Sequence, residues 1–536
     1  MINKTEIDNQ EGKSAFILAS WGNPYEWYEV EYLLEPEDEL KLRVKSISSL
    51  SVILRYYISK LGVKNVRALV FIPETLLCAS NMISDFKVEE VTKCISNEYS
   101  EVLERLRSNV TEYVKNKVVK TVINCLSEVD LDSLIKVYVL PNVGKYQCNK
   151  ETVEWKYDID TDISSFYGAL ALIVGFIELK DFIKHNGKKH LELAVDITHG
   201  INYMPLMLFR TSLFLARIAS VELNNKVTFK VYNSEPYTKA VKGGGELKVR
   251  IVDKEDIEKT KAIQRLIYSY TAYLYKTKVN IENYDEKSCG NSWIKDLNKN
   301  LNKSMGFQRS KKLFDLINCL AASIHYSLPL PLVTFSYWYN HELSLKSIHE
   351  EIPHFLNEFI REINKYVHIE KNNNNYLIKR LIVLNYNKVK GLLAGYAIAK
   401  YSVNVLNEVM KDEKHVKFQN NCEFYISAEK LNYLLDEYLK GAHYLTSSNE
   451  LSQIQRKYSE NLLIKKLKEG TECCNEEKDV DKRNFIAHCG LEQNITCIKE
   501  ENGIIFLKYC RKDEGKIRET LENGLKELYN LLKSDL

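Results

Sequence analysis

Short apolar runs rich in β-branched residues alternate with longer amphipathic stretches over the first half of the chain. The apolar runs predict five strands, at residues 15–20, 67–72, 136–140, 191–196 and 227–233. The amphipathic stretches predict helices near 47–61, 86–127, 162–185 and 203–220. Such alternation is typical of a mainly parallel sheet with helices on both faces. A sixth run, 247–252, follows the glycines at 243–245 and predicts an antiparallel edge hairpin.

The pattern changes after Asp253, where strand-like runs nearly vanish and apolar residues recur at helical spacing. The clearest examples are Leu431, Leu434, Leu435 and Tyr438, and then Ile517, Leu521, Leu525, Leu528 and Leu532. The sequence therefore predicts an α/β domain followed by an all-α domain.

The composition is that of a globular protein, with 536 residues of which 45% are hydrophobic and 27% charged. A net charge of +3 provides no global basic field, so a nucleic-acid role would need a local site. The longest apolar stretch, 166–177, is shorter than the roughly 20 residues that span a bilayer. The polar N-terminus also lacks a signal-peptide core. We expect a soluble, cytoplasmic protein with no membrane partner.

The 12 cysteines form no C-x-x-C pair, so zinc-ribbon spacing is absent. Cys473, Cys474, His488 and Cys489 are the nearest approach to a ligand group, and the missing spacing argues against it. We expect reduced, mostly buried thiols and no metal site.

Two loops at predicted strand ends have the composition of ligand-binding loops. The first strand runs into Ser20-Trp21-Gly22-Asn23-Pro24, and the fourth runs into a loop that extends from Asp196 to Pro205. Both offer hydroxyls, a glycine that permits close backbone approach, and amides at a following helix start, which suit phosphate and ribose oxygens. Well-capped turns without a ligand account for the same residues equally well. No dinucleotide or P-loop fingerprint occurs.

A second candidate site is the segment 481–488, in which Arg483 and His488 lie five residues apart. A permanent cation and a group that exchanges protons near neutral pH could cleave RNA without metal, because the ribose 2′-OH is the nucleophile. On one ideal helix the two side chains point about 140° apart, so a helix end near Gly490 or a second subunit must bring them together. By spacing alone, a surface arginine and an ordinary histidine account for the pair better.

The segment Asp196-Ile197-Thr198-His199-Gly200 resembles the signature of the CRISPR-associated DxTHG family. The Ser20–Pro24 turn, Asn202 and residues 232–236 are similar to that family as well. Residues 483–488 resemble the R-x4-6-H motif of HEPN ribonucleases, including the polar Asn484 after the arginine. The order of the two motifs is that of the CARF–HEPN effectors of type III CRISPR systems.

This resemblance implies a Rossmann-like CARF sensor domain over 1–252, a helical connector over 253–340 and a HEPN ribonuclease domain over 341–536. It implies that a CARF dimer binds cyclic oligoadenylate, and it favours the tetramer. The residues implied in binding are Ser20, Trp21, Gly22, Asn23, Asp196, Thr198, His199, Gly200 and Asn202. Asp196 is equally a candidate for holding its loop in shape. Arg483, Asn484 and His488 are implied as the catalytic group, shared across a homodimer or higher homo-oligomer.

The resulting hypothesis is an allosteric, metal-independent endonuclease for single-stranded RNA in antiviral defence, with no cofactor and no obligatory DNA binding. Attack by the 2′-OH would leave 2′,3′-cyclic phosphate and 5′-OH ends. One alternative is a non-catalytic CARF sensor whose helical half binds DNA or a protein partner. A second is a CARF domain that cleaves its own ligand.

Overall fold

The computed structural model describes most of the chain and divides it into two compact units. The described residues are 13–35, 41–80, 82, 91–92, 96–123, 131–149, 151–157, 163–186, 190–236, 245–273, 282–283, 311–343, 345–373, 375–420, 423–459, 480–492 and 495–534. One unit comprises 1–257, 279–299 and 356–390, and the other comprises 258–278, 300–355 and 391–536. The division into sensor, connector and ribonuclease domains at the predicted boundaries stays a prediction. Gly243, Gly244, Cys473 and Cys474 lie outside the described residues.

The described strands and helices alternate along much of the chain. The strands are β1 Lys13–Ser20, β2 Val30–Leu34, β3 Leu42–Ser46, β4 Asn65–Pro73, β5 Val91–Thr92, β6 Ile135–Leu140, β7 Gly144–Cys148, β8 Glu151–Tyr157, β9 His190–Asp196, β10 Val227–Ser234, β11 Glu246–Ile257, β12 Glu282–Asn283, β13 Val367–Asn372, β14 Asn375–Arg380, β15 Ile382–Val383, β16 Val416–Asn420, β17 Glu423–Ser427, β18 Thr496–Glu501 and β19 Ile504–Tyr509. The α-helices are α1 Leu50–Arg55, α2 Leu76–Ala79, α3 Asn97–Val114, α4 Lys120–Ile123, α5 Leu131–Leu134, α6 Ile163–Asn186, α7 Met204–Leu223, α8 Lys259–Tyr273, α9 Lys311–His325, α10 Pro329–Leu343, α11 Leu345–Ile363, α12 Tyr386–Met410, α13 Ala428–Tyr438, α14 Tyr444–Ser459, α15 Lys482–Ala487 and α16 Glu514–Ser534.

The main sheet of the first unit has the strand order β3-β2-β11-β10-β9-β1-β4-β6. Five consecutive strands, from β10 to the edge strand β6, are parallel and coincide with the five predicted strands. The predicted antiparallel hairpin is also present, because β11 pairs with β10 in that sense. Its placement at the sheet edge was wrong, since β2 and β3 continue the sheet beyond β11.

Both faces of the main sheet are covered by helices, as predicted. Side chains alternate along β1, so Ala15 and Ile17 join one buried core with apolar residues of α1 and α3. Leu18 points the other way, toward Gly175 of α6. A Cβ on Gly175 would lie 2.5 Å from Leu215 of α7 and 3.6 Å from Leu18, so the glycine allows α6 and α7 to pack closely on the sheet.

The sequence pattern after Asp253 predicts helices only. The structure also contains strands there, and they belong to smaller sheets. In the first unit, β13 and β14 join the five-stranded sheet β5-β13-β14-β8-β7. In the second unit, four antiparallel strands pair in the order β16-β17-β19-β18. The fold class is confirmed as an α/β domain followed by a helical domain, and its helical part carries this additional sheet.

The second unit is built around helices whose apolar faces were visible in the sequence. Helix α13 buries Leu431, Leu434 and Leu435, and α16 buries Ile517 and Leu521. These residues are the helical-spacing positions of the two predicted helices, which are therefore confirmed.

The cysteines differ from the expectation of uniformly reduced thiols. Cys78 and Cys148 form a disulfide that joins the segment after β4 to the end of β7, so the expectation was wrong for this pair. Cys319 and Cys489 are buried free thiols, and the sulfur atoms of Cys497 and Cys510 lie 3.4 Å apart.

Helix α7 is long and apolar enough to cross a membrane by length and composition alone. In the structure 67% of its most apolar window is buried, and it packs against α6, β9 and β10. Burial of this kind is typical of a core helix.

The centre of the main sheet provides a stability prediction. Leu193 of β9 is fully buried and lies in register between Phe16 of β1 and Phe229 of β10. Replacing it with alanine should lower the unfolding free energy of the first unit by about 2–5 kcal/mol, because the cavity cannot close between two paired strands. Native-state hydrogen exchange of the β1, β9 and β10 amides measures this loss. Leu206→Ala on the surface of α7 is the matched control and should change it by less than about 0.5 kcal/mol.

Candidate functional site

The two loops singled out in the sequence lie side by side at one edge of the main sheet, the edge formed by the carboxyl ends of its parallel strands. Strands β1 and β9 are parallel neighbours in register from Lys13 with His190 to Ala19 with Asp196, so both chains leave the sheet at the same edge. The amide of Gly22 donates a 2.9 Å hydrogen bond to the carbonyl oxygen of His199, which joins the two loops directly.

Asp196 is buried and shapes the second loop from its base. Its Oδ1 accepts a hydrogen bond from the amide of Thr198 at 3.0 Å, and its Oδ2 accepts one from the Ser49 hydroxyl at 2.7 Å. The Thr198 hydroxyl in turn accepts from the amide of Ser234 at 3.1 Å, which ties the loop to the end of β10. Both carboxylate oxygens are therefore engaged within the protein.

His199 is held by contacts that the sequence did not indicate. Its ring stacks on Trp27, with centroids 4.2 Å apart, and its Nε2 accepts a 3.2 Å hydrogen bond from the amide of Ser49. Burial lowers the pKa of His199 from 6.5 to about 4, although the neighbouring Asp196 carboxylate acts in the opposite direction. The imidazole is therefore neutral at pH 7, with its proton on Nδ1.

Ser20, Trp21 and Gly200 form the inner wall between the loops. Ser20 is buried, and its hydroxyl has no hydrogen-bond partner among the residues that the structure describes. A Cβ on Gly200 would lie 2.3 Å from that hydroxyl oxygen and 2.5 Å from Pro205, so only glycine fits there. Trp21 is fully buried against Trp27. The Ser20 hydroxyl and the Trp21 indole N–H are thus two buried polar groups of this wall that have no hydrogen-bond partner among the described residues.

The two asparagines lie nearer the surface of the same edge. Asn23 caps the short 3₁₀ turn Pro24–Glu26, accepting from the amide of Tyr25 and donating to Glu26. Asn202 is exposed and adopts a positive φ of 52° just before α7. All nine predicted ligand residues therefore meet at this edge. Three supporting residues were missed, because nothing in their spacing relates them to the motif: Trp27, Ser49, and Tyr32, whose hydroxyl lies 3.4 Å from Nε2 of His199.

The second candidate site lies on α15, a short helix with a well-defined start. Asp481 is its N-cap, and its Oδ1 accepts hydrogen bonds from the amides of Arg483 and Asn484 at 2.9 and 3.1 Å. Phe485 is the buried residue of this turn, and Arg483 and Asn484 are exposed. The guanidinium of Arg483 has no ion pair with any residue in the described part of the chain.

Helix α15 ends at Ala487, directly before the histidine of the motif. His488 is the C-cap, its amide donating to the Asn484 carbonyl at 2.8 Å, and Gly490 follows with φ of +77°. A Cβ on Gly490 would lie 2.7 Å from Pro331 and 2.8 Å from the Tyr509 hydroxyl. The left-handed backbone that ends α15 begins at Cys489, with φ of +60°, and continues at Gly490, which also allows the close packing.

Glu450 on α14 is the site residue that sequence reasoning missed. Its Oε1 lies 3.3 Å from Nδ1 of His488, and the carboxylate is about a quarter exposed whereas the histidine is half exposed. The two residues are 38 positions apart, so no local motif joins them. Among the described residues, no cluster of three His, Cys, Asp or Glu side chains has the geometry of a metal site.

Two family models match this chain. Residues 16–236 match the model described as the CARF domain of CRISPR system endoribonuclease Csx1, and residues 443–513 match the HEPN domain of the same description. Together they cover more than half of the chain. The chain belongs to the CARF–HEPN family of CRISPR system endoribonucleases. The CARF match contains both strand-end loops, and the HEPN match contains Glu450, Arg483 and His488.

One relative of similar length agrees with this assignment. The chain is 26% identical over 525 residues to the CRISPR system endoribonuclease Csx1 of Methanocaldococcus jannaschii, covering 95% of this chain and 93% of that protein. A solved structure of Enterococcus italicus Csm6 bound to cyclic hexa-2′-fluoro-hexa-dAMP covers 98% of this chain and 95% of its own. That likeness has 10% identity and a TM-score of 0.22, which is too low to support a shared fold.

The low pKa of His199 generates a prediction for the CARF domain. Because the folded pKa of about 4 is below the ordinary 6.5, the unfolded state binds more protons between these values, and stability should fall as pH drops through this window. The measurement is the Tm of the first unit at pH 7 and pH 4.5 in the wild type and in His199→Gln. The variant should lose less on acidification. An equal loss in both proteins would show that His199 is not the group responsible.

Proposed function

We propose that this CARF–HEPN protein is an endonuclease for single-stranded RNA that cyclic oligoadenylate activates in type III CRISPR antiviral defence. It would act as a cytoplasmic homodimer or higher homo-oligomer and would need no metal ion. The observation that carries the proposal is the contact between Glu450 and His488, which lies five residues along the chain from the exposed Arg483. One short segment and its neighbouring helix thus supply a proton acceptor and a phosphate-binding cation.

Glu450 gives His488 the tautomer that RNA cleavage requires. A carboxylate that accepts a hydrogen bond from Nδ1 keeps the proton on that nitrogen, which leaves the lone pair of Nε2 for another partner. Because His488 is half exposed, Nε2 is open to a substrate hydroxyl. The imidazole is thereby prepared to act as a general base toward a ribose 2′-OH.

Arg483 is the group suited to the scissile phosphate. Its exposed guanidinium is a permanent cation with a planar set of donors that matches phosphate oxygens. Asn484 is exposed on the same turn and is a supporting polar group for the substrate. Binding by Arg483 would neutralise the charge that builds up on the phosphorane oxygens during attack.

The reaction balances without an external reactant. His488 takes the proton of the 2′-OH, the 2′-oxygen forms a bond to phosphorus, and the bond from phosphorus to the 5′-oxygen breaks. A proton delivered to the 5′-oxygen completes the step and leaves 2′,3′-cyclic phosphate and 5′-OH ends. Attack in line places the entering and leaving oxygens on opposite sides of phosphorus, so one imidazole does not reach both. The second proton would come from His488 of a second copy, which is why a composite dimeric site is proposed.

The loops of the CARF domain would bind the activator, and cyclic tetra-adenylate is the proposed ring. The unpartnered Ser20 hydroxyl and the backbone around Gly200 and Asn202 are suited to ribose and phosphate oxygens. A ring of repeated nucleotides presents the same groups to two copies of these loops. Activation requires that the ring bind the active arrangement more tightly than the inactive one.

The first test is cleavage of a fluorescent single-stranded RNA in EDTA, with and without cyclic tetra-adenylate. The wild type should cleave only with the activator, and His488→Ala should lower the rate by about 10²–10⁴, because general acid–base catalysis is lost. His185→Ala, an exposed histidine of the first unit, is the matched control and should cleave normally. Loss of cleavage in EDTA that is restored by excess Mg²⁺ would contradict the metal-independent mechanism. Absence of cleavage with every ring size, together with DNA or protein binding, would favour the non-catalytic sensor.

The second test addresses Glu450. Replacing it with glutamine should lower kcat by about tenfold or more with little change in KM, because the imidazole loses its orienting acceptor while RNA binding is kept. Glu450→Gln combined with His488→Ala should be no slower than His488→Ala alone, since both changes remove one function. Glu429→Gln is the matched control, because Glu429 lies 3.7 Å from Nδ1 of His415 away from the motif. Multiplicative effects in the double variant would exclude the proposed link.

A further inference from the structure

A chain of polar contacts, partly buried at its first member and fully buried at its centre, leads from the second CARF loop toward the start of helix α12. The Tyr203 hydroxyl, at the end of that loop, donates a 2.7 Å hydrogen bond to Oδ1 of Asn142. The amide of Asn142 donates to Oε1 of Glu74 at 3.2 Å. Glu74 is paired with the guanidinium of Arg380, the last residue of β14. We call these four residues, Tyr203, Asn142, Glu74 and Arg380, the loop network.

The core of the loop network is a dry ion pair. Glu74 is completely buried and Arg380 is 2% exposed. The Tyr99 hydroxyl donates to Glu74 at 2.5 Å, and Trp155 donates to that hydroxyl at 3.1 Å. Arg380 also donates to Asn364 at 3.3 Å. Charges buried this deeply cannot exchange partners for water, so a displacement of one member must be followed by the others.

Arg380 connects this network to α12 through only five intervening residues. The Asn385 side chain caps α12 by accepting from the amides of Asn387 and Lys388 at 2.9 and 3.2 Å. The amide of Tyr386 donates to the Ser165 hydroxyl at 2.9 Å. Helix α12 starts in the first unit, and its residues from 391 belong to the second. The covalent path from Arg380 therefore continues into the unit that contains His488.

Two features beside the loop network would allow a second arrangement of its hydrogen bonds. The hydroxyls of Tyr157 and Tyr167 are buried and have no hydrogen-bond partner among the described residues. The Tyr167 ring contacts that of Tyr203, with centroids 5.7 Å apart, and Tyr157 is paired in register with Arg380. Asn364 and Leu140 line a cavity of about 580 Å³. Unused donors and free volume beside a buried network permit its bonds to be exchanged rather than merely broken.

We propose that the loop network is a positioning device that fixes the second CARF loop and couples its state to the start of α12. The proposal rests on the proposed function in one respect, because cyclic oligoadenylate is the ligand expected to bias that loop. Tyr203 and Asn142 act as positioning residues, and Glu74 and Arg380 transmit the loop's state to β14. The network therefore adds residues outside both sequence motifs to the regulation of the same site.

The test uses Tyr203→Phe in the full chain, because it removes one hydroxyl and keeps the ring packed. In the absence of nucleotide, amide exchange should become about fivefold faster both at 197–203 and at 381–390. Asn142→Ala should reproduce this pattern, and the double variant should exchange no faster than either single one. Tyr138→Phe is the matched control, since it removes a tyrosine hydroxyl that donates to Glu178 from β6 of the same sheet. That control should leave both segments unchanged.

Faster exchange confined to 197–203, no change in either segment, or additive effects in the double variant would each overturn the proposal. With cyclic tetra-adenylate, Tyr203→Phe should raise the activator concentration for half-maximal RNA cleavage by about fivefold. Failure of the wild type to respond to any cyclic oligoadenylate would refute the proposed function. The amide-exchange measurement needs no ligand, so it tests the coupling between the second CARF loop and the start of α12 independently of the proposed function.

Discussion

The buried ion pair between Glu74 and Arg380 is the constraint that organises the first unit. A carboxylate with no exposed surface has to be neutralised, and its partner lies 306 residues further along the chain. Removing one member of such a pair typically costs about 3–5 kcal/mol, because the other charge is left buried. This requirement fixes Arg380 beside the end of β4. The segment 356–390 therefore belongs with the CARF sheet although the family model for that domain ends at residue 236.

The central sheet could be predicted from sequence because its strands are buried on both faces. Continuous apolar runs such as those of β1 and β4 fit a buried strand and little else once helices separate them. The strands that the sequence pattern did not predict are shorter, more exposed or more charged. In β3 every second residue is exposed, and β13 and β14 are six-residue strands that carry charged residues. Runs this short and mixed also fit a helical period, so their strand identity depends on the partners they pair with, which are distant in sequence.

Each candidate site likewise combines residues that a local sequence motif identifies with residues that the fold brings in from elsewhere in the chain. Arg483 and His488 were identifiable as candidates because residues 483–488, including the polar Asn484, resemble a family motif, although their spacing alone fits a surface arginine and an ordinary histidine better. Glu450 was not, since a single glutamate on an amphipathic helix has no signature until the fold brings it to Nδ1 of His488. In the CARF loops, Asp196 and Gly200 belong to the motif, whereas the Ser49 contacts that hold the loop come from another helix start.

The contact between Glu450 and His488 also limits what a second copy of the chain has to supply. It is formed within one chain, so orientation of the imidazole needs no second copy. Within the described residues, Arg483 still lacks an ionic partner, and one histidine serves only one side of an in-line reaction. Activation by the CARF loops would then consist of bringing two such prepared half-sites to one phosphate. Coupling of this kind needs an element that continues from one unit into the other, and α12 begins six residues after the buried ion pair and belongs to the second unit from residue 391.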